Sequence, residues 1–481
     1  MSQVKMLNAN RQMFSMFIML TQLWLVWALP RTDPPILPSH PFSFIWNAPT
    51  ELCDIRYGKK LDLSFFQFVS STLKTATNQN LSLFYIDRFG IFPYVNEETG
   101  LAYDDGLPQL IDIHEHHELA EDDIEYYIPV KKPGFAVLDF EEWRPQWDRN
   151  WGSKDIYRQI SISVVRKKNP WLSEKQVKTL AKISFERAAK RYFLRSIGLG
   201  KTLRPKRLWG YYLFPDCYNY DYNQNMAAFN GECPDIEKRR NDELQWLWDE
   251  STALYPSIYL ELVFKNAPRQ ARLYVRHRIQ ETMRISLRHS GSYSIPIYAF
   301  IRPLYKNKED EYMSEINLVN TIGEAAALGA AGVVSWGNLN LTDKEDACID
   351  ALQHLDRVMN PYILNVSTAT QLCSKALCSG RGRCVRKQWD TDVFLHLNPQ
   401  RYRIYQKHYR GRWTVAGRLS QSDVHWFNRH FDCMCYSRKA CRSVIYSNKI
   451  EESAVTGNGA DKAGPLLSMM LLCLMCARHG I

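Results

Sequence analysis

None of the strand-like runs in this chain is followed by a Gly-rich phosphate loop, which disfavours a nucleotide-binding fold. Among the six cysteines from Cys373 to Cys441, Cys-x2-Cys pairs of the kind that hold structural zinc are missing as well. The C-terminal apolar stretch, Leu466–Ala477, falls short of the roughly 20 apolar residues that a bilayer-spanning helix needs. What the chain does have is ordinary globular material: 45% hydrophobic and 23% charged residues, a balance unlike disorder or coiled coil. Its 481 residues suffice for one domain of barrel size and one small module. The formal net charge of +10 points, in a secreted protein, to acidic glycans or membrane surfaces before nucleic acid. A basic surface with no partner is the plainer reading of charge alone.

The ends and the cysteines indicate the compartment. Lys5 and Arg11 precede an apolar run from Met13 to Leu29, and a proline-rich exit follows at Pro30–Pro35. That order reads as a secretory signal, with a retained signal anchor as the alternative. Twelve cysteines are present, two of them (Cys473 and Cys476) in the apolar tail. An even set of ten behind a signal implies disulfides. Three sequons, at Asn80, Asn340 and Asn365, suit the same pathway as glycosylation sites. The polar, small-residue stretch before Leu466–Ala477 fits a transfer signal for a GPI-type lipid anchor, with attachment between Ser453 and Gly459.

Between residues 36 and 365, short apolar runs alternate with amphipathic segments. The runs are Phe42–Trp46, Leu81–Ile86, Phe135–Phe140, Leu208–Phe214, Ile295–Ile301 and Gly332–Trp336. Continuous rather than alternating hydrophobicity marks parallel strands covered on both faces. The spacing predicts a helix opening on a capping box at Ser173 and Gln176 and ending at Gly198 and Gly200, and a second over Leu318–Leu328. Strand and helix in alternation favour a (β/α) barrel, with an open doubly wound sheet as the alternative. Residues 366–445 carry six cysteines, Cys373 to Cys441, with glycines among them. They read as a small disulfide module of epidermal-growth-factor type, with an insertion before Cys433. A zinc site is the competing reading. Residues 446–481 form the linker and tail, and residues 1–35 the signal and N-terminal segment.

The densest chemistry lies in Phe135-Ala-Val-Leu-Asp-Phe-Glu-Glu-Trp-Arg-Pro-Gln-Trp147. Asp139 and Glu141 are two apart, so extended backbone sends both to one side. Two close carboxylates cannot both ionise cheaply in a dry pocket, so one becomes a proton donor and the other a stabiliser of positive charge. Glycoside hydrolysis requires that pair. For an isolated Asp-x-Glu, two solvated acids at a loop start would be the better reading.

That segment, together with Leu208-Trp-Gly-Tyr-Tyr-Leu-Phe-Pro-Asp-Cys-Tyr-Asn-Tyr220, Ala253–Tyr259, Gly323–Gly332, Trp46–Thr50 and Ala376–Cys384, resembles the hyaluronidase family of glycoside hydrolases from about residue 40 to 441. The ending Cys433–Cys441 resembles the sperm-surface branch of that family. The resemblance implies an α/β fold, a distorted (β/α) TIM-like barrel followed by an EGF-like module. It implies endo-acting hydrolysis of hyaluronan or a related glycosaminoglycan such as chondroitin, without cofactor, metal or nucleic acid. Glu141 is then the acid/base. Asp139 orients the substrate acetamido group, whose oxygen is the nucleophile, and Tyr212 helps hold that group. Tyr85, Asp216, Ser257, Tyr259 and Trp336 are cleft residues. Arg278 faces glucuronate or, alternatively, makes a structural salt bridge. The implied disulfides are Cys53–Cys348, Cys217–Cys233, Cys373–Cys384, Cys378–Cys433 and Cys435–Cys441. Two departures stand out. Phe140 occupies a position where the family usually has Trp, and is expected to face away from the cleft. Asp105 replaces a glycine and is expected to add negative charge near the cleft. A weakly catalytic hyaluronan-binding or adhesion homologue is the alternative function.

Overall fold

The structure is a computed structural model that describes residues 31–407, 411–437 and 440–442. The signal-like N-terminus and the anchor-like tail lie outside those residues. Among the described residues, no helix is long and apolar enough to cross a membrane.

Seven short parallel strands form the centre. They are β1 (Ser43–Asn47), β2 (Phe68–Ser70), β3 (Leu81–Phe84), β4 (Gly134–Leu138), β5 (Arg207–Tyr211), β6 (Tyr298–Ile301) and β7 (Gly332–Trp336). One sheet runs β2-β1-β7-β6 and the other β3-β4-β5. Residues 254–257 bridge β5 and β6 through Tyr212–Tyr255, Leu254–Ile297 and Ser257–Phe300. This stretch is the eighth member of the ring. Between β2 and β3 the seam is closed by side chains: Asn80 Nδ2 donates to Val69 O at 3.1 Å, and Ser70 Oγ accepts from Leu81 N at 2.9 Å. The result is a distorted barrel. Strands β1, β3 and β4 are buried along their full lengths, which is why their sequences show no polar alternation.

The helix begun by the Ser173 capping box, α1, spans Glu174–Leu203. It therefore runs through Gly198 and Gly200 and does not end there. Gly200 serves packing: a Cβ at that position would meet the Trp209 ring at 2.6 Å, so glycine lets the helix approach β5 closely. The stretch expected as one helix from Leu318 is Glu315–Leu318, a π-turn over Val319–Gly323, then Glu324–Ala327. A long outer helix, α2 (Pro268–Arg288), precedes β6.

The C-terminal region grows out of the barrel's last helix, α3 (Asn360–Cys378), which crosses residue 365 without a break and carries Cys373 and Cys378. Strand β8 (Gly382–Arg386) pairs antiparallel with the later Phe431–Cys435. The segment between them holds a two-stranded ribbon, Arg403–Gln406 with Trp413–Ala416, and the helix Gln421–His430. It is this ribbon and helix that fill the long gap before Cys433. The five disulfides are Cys53–Cys348, Cys217–Cys233, Cys373–Cys384, Cys378–Cys433 and Cys435–Cys441. These are the pairs the resemblance implied, and they leave none of the six module cysteines free for zinc.

Candidate active site

Strand ends determine where the polar side chains collect. Tyr85 follows β3, Asp139 follows β4, Tyr212 follows β5, Arg302 follows β6, and Trp336 is the last residue of β7. All five lie at the C-terminal mouth of the barrel, where a strand stops and its next side chain is released from the packed interior. Together with Glu141, Asp216, Ser257, Tyr259 and Arg278 they line one cleft of about 440 Å³. All nine cleft residues expected from the sequence are thus in one place.

The two carboxyl groups differ in depth. Asp139 continues the β4 ladder, its N–H donating to Phe84 O at 2.8 Å. Its Oδ1 is buried and accepts no hydrogen bond. Burial, and secondly the charge of Glu141, push the Asp139 carboxyl well above the usual range. Glu141 is exposed at the mouth. The deeper group therefore carries the raised proton affinity in the empty cleft, and the assigned acid is the open one. Glu141 lies beyond the strand end, within reach of water.

The Trp-Arg-Pro segment holds this arrangement from behind. Trp143 is fully buried and its indole N–H donates to Pro93 O at 2.8 Å. Arg144 Nη1 donates to the Glu141 carbonyl at 2.8 Å, and the Arg144 N–H donates to Asn150 Oδ1 at 2.8 Å. Phe140 faces outward into the core, 2% exposed, with its ring 4.7 Å from Phe92. Asp105 sits exposed on a turn with φ of 62° and does not line the cleft.

Aromatic side chains make the opposite wall. Tyr212 lies 6.1 Å from Tyr259, and Tyr259 is stacked on Trp336 at 6.2 Å and 22°. The indole N–H of Trp336 donates to the Tyr85 hydroxyl at 2.9 Å. Burial keeps the phenols of Tyr212 and Tyr259 neutral by pushing their pKa well up. The Tyr212 hydroxyl donates to Ser257 Oγ at 3.4 Å and is also hydrogen-bonded with the Tyr259 hydroxyl, which fixes it at the aromatic wall of the cleft.

Asp216 and Arg278 are committed to each other. Their ion pair spans 3.0 Å, with both side chains nearly buried. Asp216 also accepts from the N–H groups of Cys217 and Tyr218. Burial opposes its ionisation, but Arg278 and the Tyr218 N–H outweigh that and hold the carboxyl below the usual range. Arg278 further donates to Asn219 Oδ1 at 2.8 Å and to Ser257 O at 3.1 Å. Of the two readings of Arg278, the geometry is that of the salt bridge. Sequence reasoning passed over Arg144, Arg302 and Lys306, all of which line the cleft. The rule that functional residues follow barrel strands would have pointed to Arg302.

An Asp139→Asn substitution tests the cost of the buried carboxylate. Because its folded pKa lies above the unfolded value, protonated Asp139 favours the folded state, and this contribution is lost as pH rises through the folded pKa. The Asn variant is expected to melt at a higher temperature than wild type at pH 7, with the gap closing below about pH 4, near the ordinary Asp pKa. A melting temperature at pH 7 equal to or below wild type would refute the buried-charge account.

Known proteins are similar to this chain in sequence and in fold. A family profile described as hyaluronidase matches residues 31–445. Mouse (Mus musculus) hyaluronidase-5 is 45% identical over 410 residues, covering 85% of this chain and 77% of that protein. Human (Homo sapiens) hyaluronidase PH-20 is 42% identical over 409 residues, covering 85% and 79%. The crystal structure of bee venom hyaluronidase in complex with a hyaluronic acid tetramer matches with a TM-score of 0.58 and 25% identity, over 67% of this chain and 98% of that one. On this evidence the chain belongs to the hyaluronidase family of glycoside hydrolases.

Proposed function

We propose that the chain cleaves N-acetylhexosaminide bonds within hyaluronan by substrate-assisted, retaining hydrolysis, with Glu141 as acid/base and Asp139 and Tyr212 holding the acetamido group. The observation that carries this reading is the buried, unpartnered Oδ1 of Asp139 beneath an open Glu141 in an aromatic-walled cleft. A buried acceptor without a donor is costly, and a substrate amide N–H would relieve that cost. Glu141 then protonates the departing glycosidic oxygen while the acetamido oxygen bonds to the anomeric carbon. A water later attacks that carbon as Glu141 takes its proton back, restoring the original configuration. Tyr212 donates to the acetamido oxygen, and the faces of Tyr259 and Trp336 cover the apolar side of the sugar rings. The relative solved with a hyaluronic acid tetramer supports this substrate. Incubating the secreted protein with long hyaluronan across a pH series, and sizing the products, tests the reading. Absence of fragments at every pH would favour the binding-protein alternative.

The chain is further proposed to act outside the cell, with residues 366–445 as an accessory module on a 36–365 barrel. Of the three sequons, Asn340 is exposed in the short turn Leu339–Leu341 with its Nδ2 donating to Glu309, whereas Asn80 and Asn365 are part-buried and hydrogen-bonded to the backbone. Attachment by a lipid between Ser453 and Gly459 would follow from a tail too short to span a bilayer. Phosphatidylinositol-specific phospholipase is expected to release active enzyme from transfected cells. Spontaneous release of protein still carrying Leu466–Ala477 would overturn the anchor.

A further inference from the structure

We propose that Arg302 reads the carboxylate of the uronic acid next to the reacting N-acetylhexosamine, and so sets the preference of this cleft for an acidic glycan. The inference rests on the hydrolase reading above and names the residue that recognises the anionic half of its substrate.

The cleft holds three arginines and one lysine, and their commitments differ. Arg278 is neutralised by Asp216 at 3.0 Å, and only its Nη2 lacks an acceptor, its Nε being taken by Asn219. Arg144 supports the Glu141 backbone and lies within the field of both Glu141 and Asp216. Arg302 is 7% exposed. Its Nη1 donates to Lys306 O at 3.3 Å. Its Nε and Nη2 are buried and have no hydrogen-bond acceptor. The nearest carboxylate, Glu309, is 4.0 Å from Nη2 and about half exposed, and it is already engaged by Asn338 and Asn340.

Nε and Nη2 are the two nitrogens whose N–H bonds run parallel along one edge of a guanidinium. That edge is the fork that takes a carboxylate through two hydrogen bonds. A desolvated guanidinium with this edge empty is an unfavourable arrangement unless a ligand completes it. The plane of Arg302 also lies over Trp336, 5.2 Å from the ring centroid. Trp336 stacks on Tyr259, so the fork is fixed at the end of the wall that covers the sugars. A saccharide lying against Tyr259 and Trp336 therefore has its neighbour's substituent directed to Arg302. Lys306, exposed on the same side of the cleft, has no carboxylate within 4 Å among the described residues and adds a second, unspent positive charge.

The test measures binding of a hyaluronan hexasaccharide, and of the same oligosaccharide with its carboxylates reduced to alcohols, to the Glu141→Gln protein, in which no cleavage intervenes. The native oligosaccharide is expected to bind at least about tenfold more tightly, the scale of a charge-assisted hydrogen-bond pair. Adding Arg302→Gln should bring the two affinities to within about twofold of each other, chiefly by weakening the native one. A merely structural role for Arg302 would weaken both alike. Arg302→Lys keeps the charge and the bulk but not the fork, and guards against misfolding of the Gln variant. It should reduce the preference by at least about threefold. A preference that survives unchanged in either Arg302 variant overturns the inference, as does a Glu141→Gln protein that binds both oligosaccharides equally. Failure to bind either one would instead overturn the hydrolase reading itself.

Discussion

Glu141→Gln should reduce hyaluronan cleavage by about 10²–10⁴-fold, the contribution of a positioned general acid–base. The amide is nearly the same size but neither gives up nor takes a proton in the working pH range. Glu141 is exposed at the cleft mouth, and Arg144 grips its backbone carbonyl, not its side chain. Fold, secretion and the cleft walls should therefore persist, and substrate affinity should change little. Because the loss is in the reaction step, kcat should fall while KM stays near wild type. Initial rates of reducing-end formation, measured at saturating polymer, decide the matter. Residual activity within a few-fold of wild type would remove Glu141 from the acid role and leave Asp139 and Glu142, the other carboxyl groups of the segment that line the cleft, as the remaining candidates.

The largest stability effect is expected away from the cleft. Glu324 is fully buried between two arginines, Arg276 at 2.6 Å and Arg386 at 2.5 Å. Arg276 is on α2 and Arg386 on β8, so this triad fastens the C-terminal region to the outer helices of the barrel. Removing the one shared carboxylate leaves two guanidinium groups buried and facing each other. Breaking a buried pair from one side typically costs about 3–5 kcal/mol. Glu324→Gln should therefore unfold at markedly lower denaturant concentration than wild type. Activity of the protein that remains folded should be unaffected, because Glu324 does not line the cleft. A loss below about 1 kcal/mol would mean that Asp392, which also pairs with Arg276 at 2.9 Å, and the carbonyl groups around Arg386 already carry the charge balance.

Much of this was legible in residue order. Continuous apolar runs announced strands buried on both faces, and the ends of those runs predicted where a barrel would expose chemistry. The capping box at Ser173 was readable because both of its partners lie within four residues. Gly198 and Gly200 misled because glycine serves two purposes, ending a helix or admitting a neighbour, and only the Trp209 ring packed against α1 shows which applies. The eighth member of the ring, residues 254–257, was quoted as a motif but could not be read as part of the barrel. It makes isolated bridges to its neighbours instead of a ladder, and so it lacks the repeated pattern that marks a strand.

The sequence by itself determined the pair Asp139 and Glu141, the aromatic residues beside them and, through family resemblance, the pairing of the ten cysteines. The carboxylate pair follows from residue type and short spacing, which local geometry preserves, whereas the aromatic roles and the cysteine pairs, one of them 295 positions apart, came only with the resemblance. Tertiary structure alone decided which carboxyl is deep and which is open, and which arginine is spent. Arg278 is neutralised by Asp216, 62 positions earlier, whereas Arg302 keeps an empty fork over Trp336. Burial and charge pairing are properties of groups brought together from distant parts of the chain. Their energies depend on distance and on exclusion of water, and neither is written in the order of residues.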